Sequence, residues 1–294
     1  MQKIVPNLWF DKEASEAAKF YTSLFSNSRI KNTTVLHDTP SGTAETVTIE
    51  LSGQEFMLLS AGPLFKFNPT ISFLVACKTK DEVDTLWGKL SEGGTTLMLL
   101  DAYPFSERYG WTEDRYGLSW QVMYFGESEI TQKITPTLMF TGDQAGKAEE
   151  AINFYVSVFS NAKVGDILRY SEGEGPDKEG TVKHAGFMLE GQEFAAMDSA
   201  RVHDFAFNEA ISFIVYCENQ EEIDYYWEKM SAVPEAEQCG WLKDRFGVSW
   251  QIVPTVMDEM MQTKDAEKLA RVTGAFLKMK KFDIAELQKA YEGR

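Results

Sequence analysis

Apolar and polar positions follow two rhythms along this chain, and the order of those rhythms recurs. Ile4 to Phe10 is rich in the β-branched and aromatic residues of a strand. Ala14, Ala17, Ala18, Tyr21, Leu24 and Phe25 then fall on one face of a helix. Strand-like stretches follow near 29–37, 44–52 and 55–60. The order then starts again: Ile71 to Cys77 reads as a strand, and Val83, Leu86, Trp87 and Leu90 as a helical face. More strands follow and end with Leu118 to Tyr124. The first 127 residues therefore predict βαβββ twice.

The second part of the chain repeats the first. Phe67 to Cys77 reads FNPTISFLVAC and Phe207 to Cys217 reads FNEAISFIVYC, identical at seven of eleven positions. Gly110 to Gln121 (GWTEDRYGLSWQ) matches Gly240 to Gln251 (GWLKDRFGVSWQ) at eight of twelve. The helical face of the first copy returns as Ala148, Ala151, Ile152, Tyr155, Val158 and Phe159. The first copy carries ten extra residues ahead of its Gly-Trp motif. The expectation is an α+β protein of four βαβββ modules. Its domains are expected at 1–127 and 131–254, with Phe125 to Lys133 as a polar joint. Residues 255–294 are a helical tail: Ala266, Leu269, Ala270, Thr273, Phe276 and Leu277 keep helical spacing. Asp283 and Glu286 form a capping box for a last helix with Ile284, Leu287 and Tyr291 on its face. The bland expectation for this tail is a clasp packed on the domains, and the sharper one a partner-binding arm.

Charge removes several function classes. The net charge of −16 disfavours nucleic acid and anionic membrane surfaces as partners. The longest apolar runs, such as Phe73 to Cys77, hold about five residues, against the roughly 20 of a spanning helix. Met1 to Phe10 has no signal-peptide features. Cys77, Cys217 and Cys239 form no CxxC pair, which predicts a reducing, cytoplasmic setting. No Gly-rich turn joins a buried strand to a helix: Ser171 to Gly175 reads as a solvent loop and Gly93-Gly94 follows a helix. No activated Cys–His pair or Ser–His–Asp spacing is visible. Cys77 and Cys217 end apolar strands and read as inert core; Cys239 abuts a turn.

The paired βαβββ modules and the segments TPTLMF at Thr135, INFYVSVF at Ile152 and CGWLKDRFGVSWQIVP from Cys239 resemble PhnB-like proteins. Those belong to the vicinal oxygen chelate superfamily, with glyoxalase I, extradiol dioxygenases and antibiotic-sequestering proteins. Their domain is often labelled 3-demethylubiquinone-9 3-methyltransferase. The first copy departs from the pattern, with Tyr109 where the second has Cys239. The resemblance implies sheets curled into troughs, with the ligand in the trough. It also implies a metal held by His, Glu or Gln from the first, fourth, fifth and last strands. Those positions carry over as Pro6 or Asn7 and Pro136 or Thr137, Thr46 or Val47 and His184 or Ala185, Thr70 and Ala210, and Gln121 and Gln251. Only His184 and the two Gln have ligand chemistry, so the expectation is a trough without metal or other cofactor. Were a metal held, His184 and Gln251 would be its first ligands to test.

Strand parity sends Gln251 and Gln121 into the trough as solvent-accessible amides, and Trp250 and Trp120 toward the helices. In Gly-Trp-x-x-Asp-Arg-x-Gly-x-Ser-Trp-Gln, Asp114 and Asp244 suit a turn that accepts backbone N–H groups, and Gly117 and Gly247 suit positive φ. The functional alternative makes Trp111 and Trp241 stacking walls and Arg115 and Arg245 anion anchors. Phe67, Asn68, Phe207 and Asn208, entering the fifth strands, are further ligand-binding candidates. Trp87 and Trp227 belong to the core, and His37 and His203 read as ordinary surface or loop histidines. The function expected is binding of a small, partly apolar or aromatic molecule, by a metal-independent enzyme or a sequestering protein. The methyl transfer in the family label has no cofactor motif behind it. The chain is an internal pseudo-dimer, and a homodimer is compatible with it.

Overall fold

The computed structural model describes residues 2–294. The first module is β1 (Ile4–Phe10), α1 (Ala14–Leu24), β2 (Arg29–Thr39), β3 (Gly42–Leu51) and β4 (Gln54–Ser60). The second is β5 (Ile71–Cys77), α2 (Lys80–Leu90), β6 (Thr95–Tyr103), β7 (Ser106–Glu113) and β8 (Ser119–Tyr124). The third is β9 (Ile134–Phe140), α3 (Ala148–Val158), β10 (Lys163–Arg169), β11 (Val182–Leu189) and β12 (Gln192–Asp198). The fourth is shorter than expected: β13 (Ile211–Cys217), α4 (Gln220–Met230), β14 (Trp241–Lys243) and β15 (Ser249–Pro254). Its helix is followed by a 3₁₀ turn at Pro234–Ala236, so it is βαββ. The ten residues that build β6 in the second module have no counterpart there.

The repeats are not the compact units. Residues 1–66 and 208–294 form unit 1, and residues 67–207 form unit 2. Unit 1 holds a seven-stranded sheet in the order β14-β15-β13-β1-β4-β3-β2. Unit 2 holds eight strands in the order β10-β11-β12-β9-β5-β8-β7-β6. The first module thus pairs with the fourth, and the second with the third. This corrects the domains expected at 1–127 and 131–254: the joint at 125–133 lies inside unit 2, and segments 61–70 and 199–210 carry the chain from one unit to the other. The near-identity of the repeats explains why the sequence conceals this. β1 lies antiparallel to β13 with Pro6 opposite Phe213, and β9 lies antiparallel to β5 with Pro136 opposite Phe73. Since β5 and β13 present almost the same side chains, β1 could accept either in one register.

Each sheet is mixed. β1–β4, β12–β9, β13–β15 and β5–β8 are parallel, and the other pairs antiparallel. The two layers follow from side-chain alternation. Ile4, Leu8, Phe213, Trp250 and Ile252 of unit 1 share the helix-facing side and are all buried, as are Ala14, Ala17, Ala18 and Tyr21 of α1. Asp244 and Asp114 make the turn before the last strand: the Asp244 carboxylate accepts from the N–H of Phe246 and Val248, and that of Asp114 from Tyr116 and Leu118. Their second oxygens accept the indole N–H of Trp250 and Trp120, each at 2.9 Å. Both Trp are therefore core, as parity predicts. Gly110 is glycine because the Trp87 ring lies on it: a Cβ there would stand 2.4 Å from the ring.

The tail is helical as expected, with α5 (Val256–Met261), α6 (Ala266–Phe276) and α7 (Ile284–Glu292). Asp283 caps α7 by accepting from the Glu286 N–H. All three helices belong to unit 1.

Each unit draws one module from each repeat, so a chain cut at the Ser128–Glu129 joint should not come apart. A protease site inserted there, once cleaved, should leave both fragments co-eluting in native size-exclusion chromatography. Fragments that separate without denaturant would mean that each repeat folds on itself.

Candidate functional site

The face of each sheet turned away from α1 to α4 is the trough, and in unit 2 it carries a buried polar relay. Register sets Gln121 of β8 beside Trp111 of β7 and Leu74 of β5, and Ser72 of β5 beside Thr137 of β9. Gln121 Nε2 donates to Ser72 Oγ at 2.7 Å, and Tyr109 Oη donates to Gln121 Oε1 at 2.7 Å. Trp111 Nε1 donates to Ser119 Oγ at 2.7 Å. Tyr109, Gln121 and Ser72 are at most 5% exposed. Burial raises the Tyr109 pKa well above the usual phenol value, so its hydroxyl is a fixed donor. Met139, Leu74 and Ala195 add a buried apolar floor, with Met197 half-buried at its side. Tyr109 and Ser72 escaped the sequence reading. The available signals were a lone Ser inside the apolar strand ISFLVAC, and the alternation that puts Tyr109 two residues from Trp111.

His184 also faces this trough. Its neighbour Ala185 pairs with Ala196 on the helix side, so alternation turns His184 the other way, and it pairs with exposed Leu168 of β10. Its ring reaches solvent, yet the surrounding walls lower its pKa below the usual 6.5 by desolvation. Module exchange has a direct consequence here: His184 shares a sheet with Gln121, not with Gln251. The expected pairing of His184 with Gln251 is corrected on this ground.

In unit 1 the corresponding positions are Asn7, Ser212 and Gln251. Ser212 Oγ accepts from Gln251 Nε2 at 2.9 Å and from Asn7 Nδ2 at 3.4 Å. Gln251 is trough-facing, but only 9% exposed, so the expected solvent-accessible amide is a buried, bonded one. Trp241 pairs with Gln251 across the strands and meets Trp9 edge-on at 6.2 Å. Trp9 Nε1 donates to Gly62 O, and Phe65 packs against its ring at 5.1 Å. Leu36, Ala44, Ala61, Trp9 and Leu59 are then covered by Met261, Leu269 and Phe276 of the tail.

The remaining candidates have partners within the protein. Arg115 stands 3.9 Å from Glu92, and Arg245 lies over the Phe246 ring. Asn68 accepts from the Thr70 N–H and donates to Ala206 O; Asn208 does the same with Ala210 N–H and Lys66 O. Both are turn staples. Phe207 packs edge-on against buried Phe140, and Phe67 stands 3.9 Å from the place a Cβ on Gly117 would take. His37 is exposed beside Thr43, and His203 shares a hydrogen bond with Ser199 Oγ. Cys77 and Cys217 are buried, which pushes their thiols up to about 12.

The donor set does not fit the divalent metal that the superfamily uses. Among the described residues, no group of three or more His, Cys, Asp or Glu could hold an ion. Gln121, the ligand position of the last strand, already spends both ends of its amide on Tyr109 and Ser72. Nucleotide-type binding fares no better. One glycine-bearing connection that the sequence reading passed over, Gly142 to Lys147, does open a helix after a buried strand. There, however, the Asp198 carboxylate takes the Gly146 and Ala148 N–H groups, the donors a phosphate would need. No helix is long and apolar enough to cross a membrane among the described residues.

Comparison with known proteins fits this geometry. The family pattern described as 3-demethylubiquinone-9 3-methyltransferase matches twice, over residues 2–123 and 132–253. A Bacillus cereus PhnB protein is 40% identical over 42% of this chain and 99% of its own, with a TM-score of 0.40. Glyoxalase I of Zea mays is 10% identical but covers 86% of this chain and 93% of its own at a TM-score of 0.54, a likeness of fold. No curated protein matches the chain.

The lowered pKa predicts an NMR titration midpoint for the His184 imidazole below 6.5. The folded form favours the neutral ring, so its contribution to stability is complete above pH 6.5. It is lost as pH falls through the folded pKa, because the unfolded chain takes the proton first. A midpoint at or above 6.5 would contradict the desolvated placement.

Proposed function

Because the chain belongs to the 3-demethylubiquinone-9 3-methyltransferase family, PhnB-like and in tandem form, we propose that it binds a small, uncharged, partly aromatic molecule in the unit 2 trough. The observation that carries this is the Tyr109–Gln121–Ser72 relay. It is a buried row of neutral donors and acceptors set in an apolar floor, the composition of a small-molecule site. The half-buried Trp111 ring supplies a stacking surface beside it. A charged ligand would find no matching ion in the relay. Methyl transfer, the activity in the family description, gains no support from a chain whose helix N-terminus at Ala148 is closed by Asp198.

His184 favours a second reading of the same trough, as the site of a metal-independent proton transfer. A neutral imidazole at neutral pH is a competent general base, and His184 stands on the same face of the same sheet as the relay, which supports this reading. Three cysteines without a disulfide suit a reducing compartment such as the cytoplasm.

Native mass spectrometry of the chain drawn from its own cells should show one small-molecule adduct. Tyr109→Phe leaves the Gln121 carbonyl without its donor and should weaken the adduct about fivefold, the factor for roughly 1 kcal/mol of hydrogen bonding. An adduct held equally by parent and variant would place the ligand elsewhere. Conversion of that ligand by the parent, abolished in His184→Ala with binding retained, would decide for the enzyme.

A further inference from the structure

The two troughs differ in what covers them. In unit 1 the chain runs from the end of β15 straight across the trough face. Asp258 of α5 hydrogen-bonds Tyr216, which lies with Val5 and Ile214 in the apolar cluster of that face. Thr34 of β2 donates to the Met261 carbonyl at 3.4 Å, fixing the segment at one lip. Leu269 and Phe276 then lay the apolar side of α6 on Trp9, Leu36, Ala44 and Leu59. At the other lip, just ahead of β14, Cys239 and Gly240 donate their N–H groups to the Met279 and Lys280 carbonyls at 2.8 and 2.7 Å. Phe282 is buried against Gly240, where a Cβ would stand 2.5 Å from its ring. Past that edge the tail turns to the helix side of the sheet, where Gln220 of α4 donates to Phe282 O and accepts from Ile284 N–H.

Among the described residues, no tail segment lies against the corresponding wall of unit 2, and it is this wall that differs, since Gln121 and Gln251 on the two floors are both buried. Thr34 and Ala44 in unit 1 are 8% and 5% exposed. Leu168, which takes the place of Thr34 in unit 2, is 57% exposed, and His184 beside it is exposed as well. The lip near β14 is also where the fourth module lacks a strand, and the tail backbone supplies partners there.

We infer that the tail is the resident occupant of the unit 1 trough and shuts it, so that each chain offers a small molecule one trough, that of unit 2. The first half stands on the tail's own contacts; the second rests on the reading proposed above. The tail fills the apolar face with Met261, Leu269 and Phe276, the kind of surface a partly aromatic ligand would otherwise cover.

The probe is Nile red, neutral, flat and apolar, titrated into the full chain by fluorescence with the number bound per chain as readout. The parent should bind one, and Tyr109→Phe should weaken it severalfold. Leu269→Asp combined with Phe276→Asp, which drives α6 off the trough, should raise the number to two. Two bound by the parent would overturn the inference while leaving the unit 2 reading in place. None bound by the parent and one by the double variant would uphold the shut trough and overturn the unit 2 reading. None in either, or one in both when proteolysis shows α6 released, would overturn the inference. Should the double variant fail to fold, amide exchange on the parent decides. α6 should exchange as slowly as β2 and β3 beneath it, and exchange at the rate of a free helix would contradict a closed trough.

Discussion

Everything in this molecule hangs on two antiparallel strand pairs, β1 with β13 and β9 with β5. Each joins a module of one repeat to a module of the other, and each is the middle of its sheet, so burial on both faces follows from it. Ile4 to Phe10 and Ile71 to Cys77 are almost wholly apolar because one side meets the helices and the other the floor of a trough. The polar exceptions on the trough side, Asn7, Ser72, Thr137 and Ser212, are the residues that hold the two Gln amides or stand beside them. A polar group in such a place is costly unless bonded, and pairing with a Gln of the adjacent parallel strand satisfies it. The same constraint that builds the sheets therefore builds the polar rows.

The asymmetry between the units traces to a small change of length. The second module spends ten more residues than the fourth between its helix and its Gly-Trp motif, and they make β6 and lengthen β7. Unit 2 gains an eighth strand and, with Tyr109, a donor for its Gln. Unit 1 keeps a short β14 and Cys239 in the corresponding place, and the tail backbone joins that edge instead. Gly110 and Gly240 record the difference in packing: the first lies under the Trp87 ring, the second under Phe282 of the tail. One motif glycine thus serves a helix in one unit and the tail in the other.

Much of this was legible in the chain. Periodicity placed the helices, the repeat placed the modules, and parity correctly turned Trp120 and Trp250 to the core and Gln121 and Gln251 to the trough. The pairing of modules was not legible, because two near-identical strands are equally good partners for β1 and side-chain pattern carries no information about which is used. That one ambiguity put His184 and Gln251 in one domain, whereas they stand on different sheets. The missing strand of the fourth module was visible as a ten-residue deficit but needed a pairing scheme to be read as one. Asp198 at the start of α3, and Asp114 and Asp244 at the Trp indoles, act across tens of residues or through a side chain. Local patterns do not report such contacts. Asn68 and Asn208 looked like ligand groups by residue type, and only their hydrogen-bond partners reveal the turns they hold.

The exchange of modules between repeats can be measured directly by paired cysteines in a Cys239→Ser background. Asn7 and Ser212 are register partners on β1 and β13, and neighbours on an antiparallel pair lie within disulfide reach. Asn7→Cys with Ser212→Cys should oxidise rapidly to an intrachain disulfide, seen as a faster-migrating monomer on non-reducing gels, while Asn7→Cys with Ser72→Cys should not. A disulfide that forms between positions 7 and 72 and not between 7 and 212 would mean that each repeat closes on itself, and the assignment of His184 and Gln121 to one trough would fall with it.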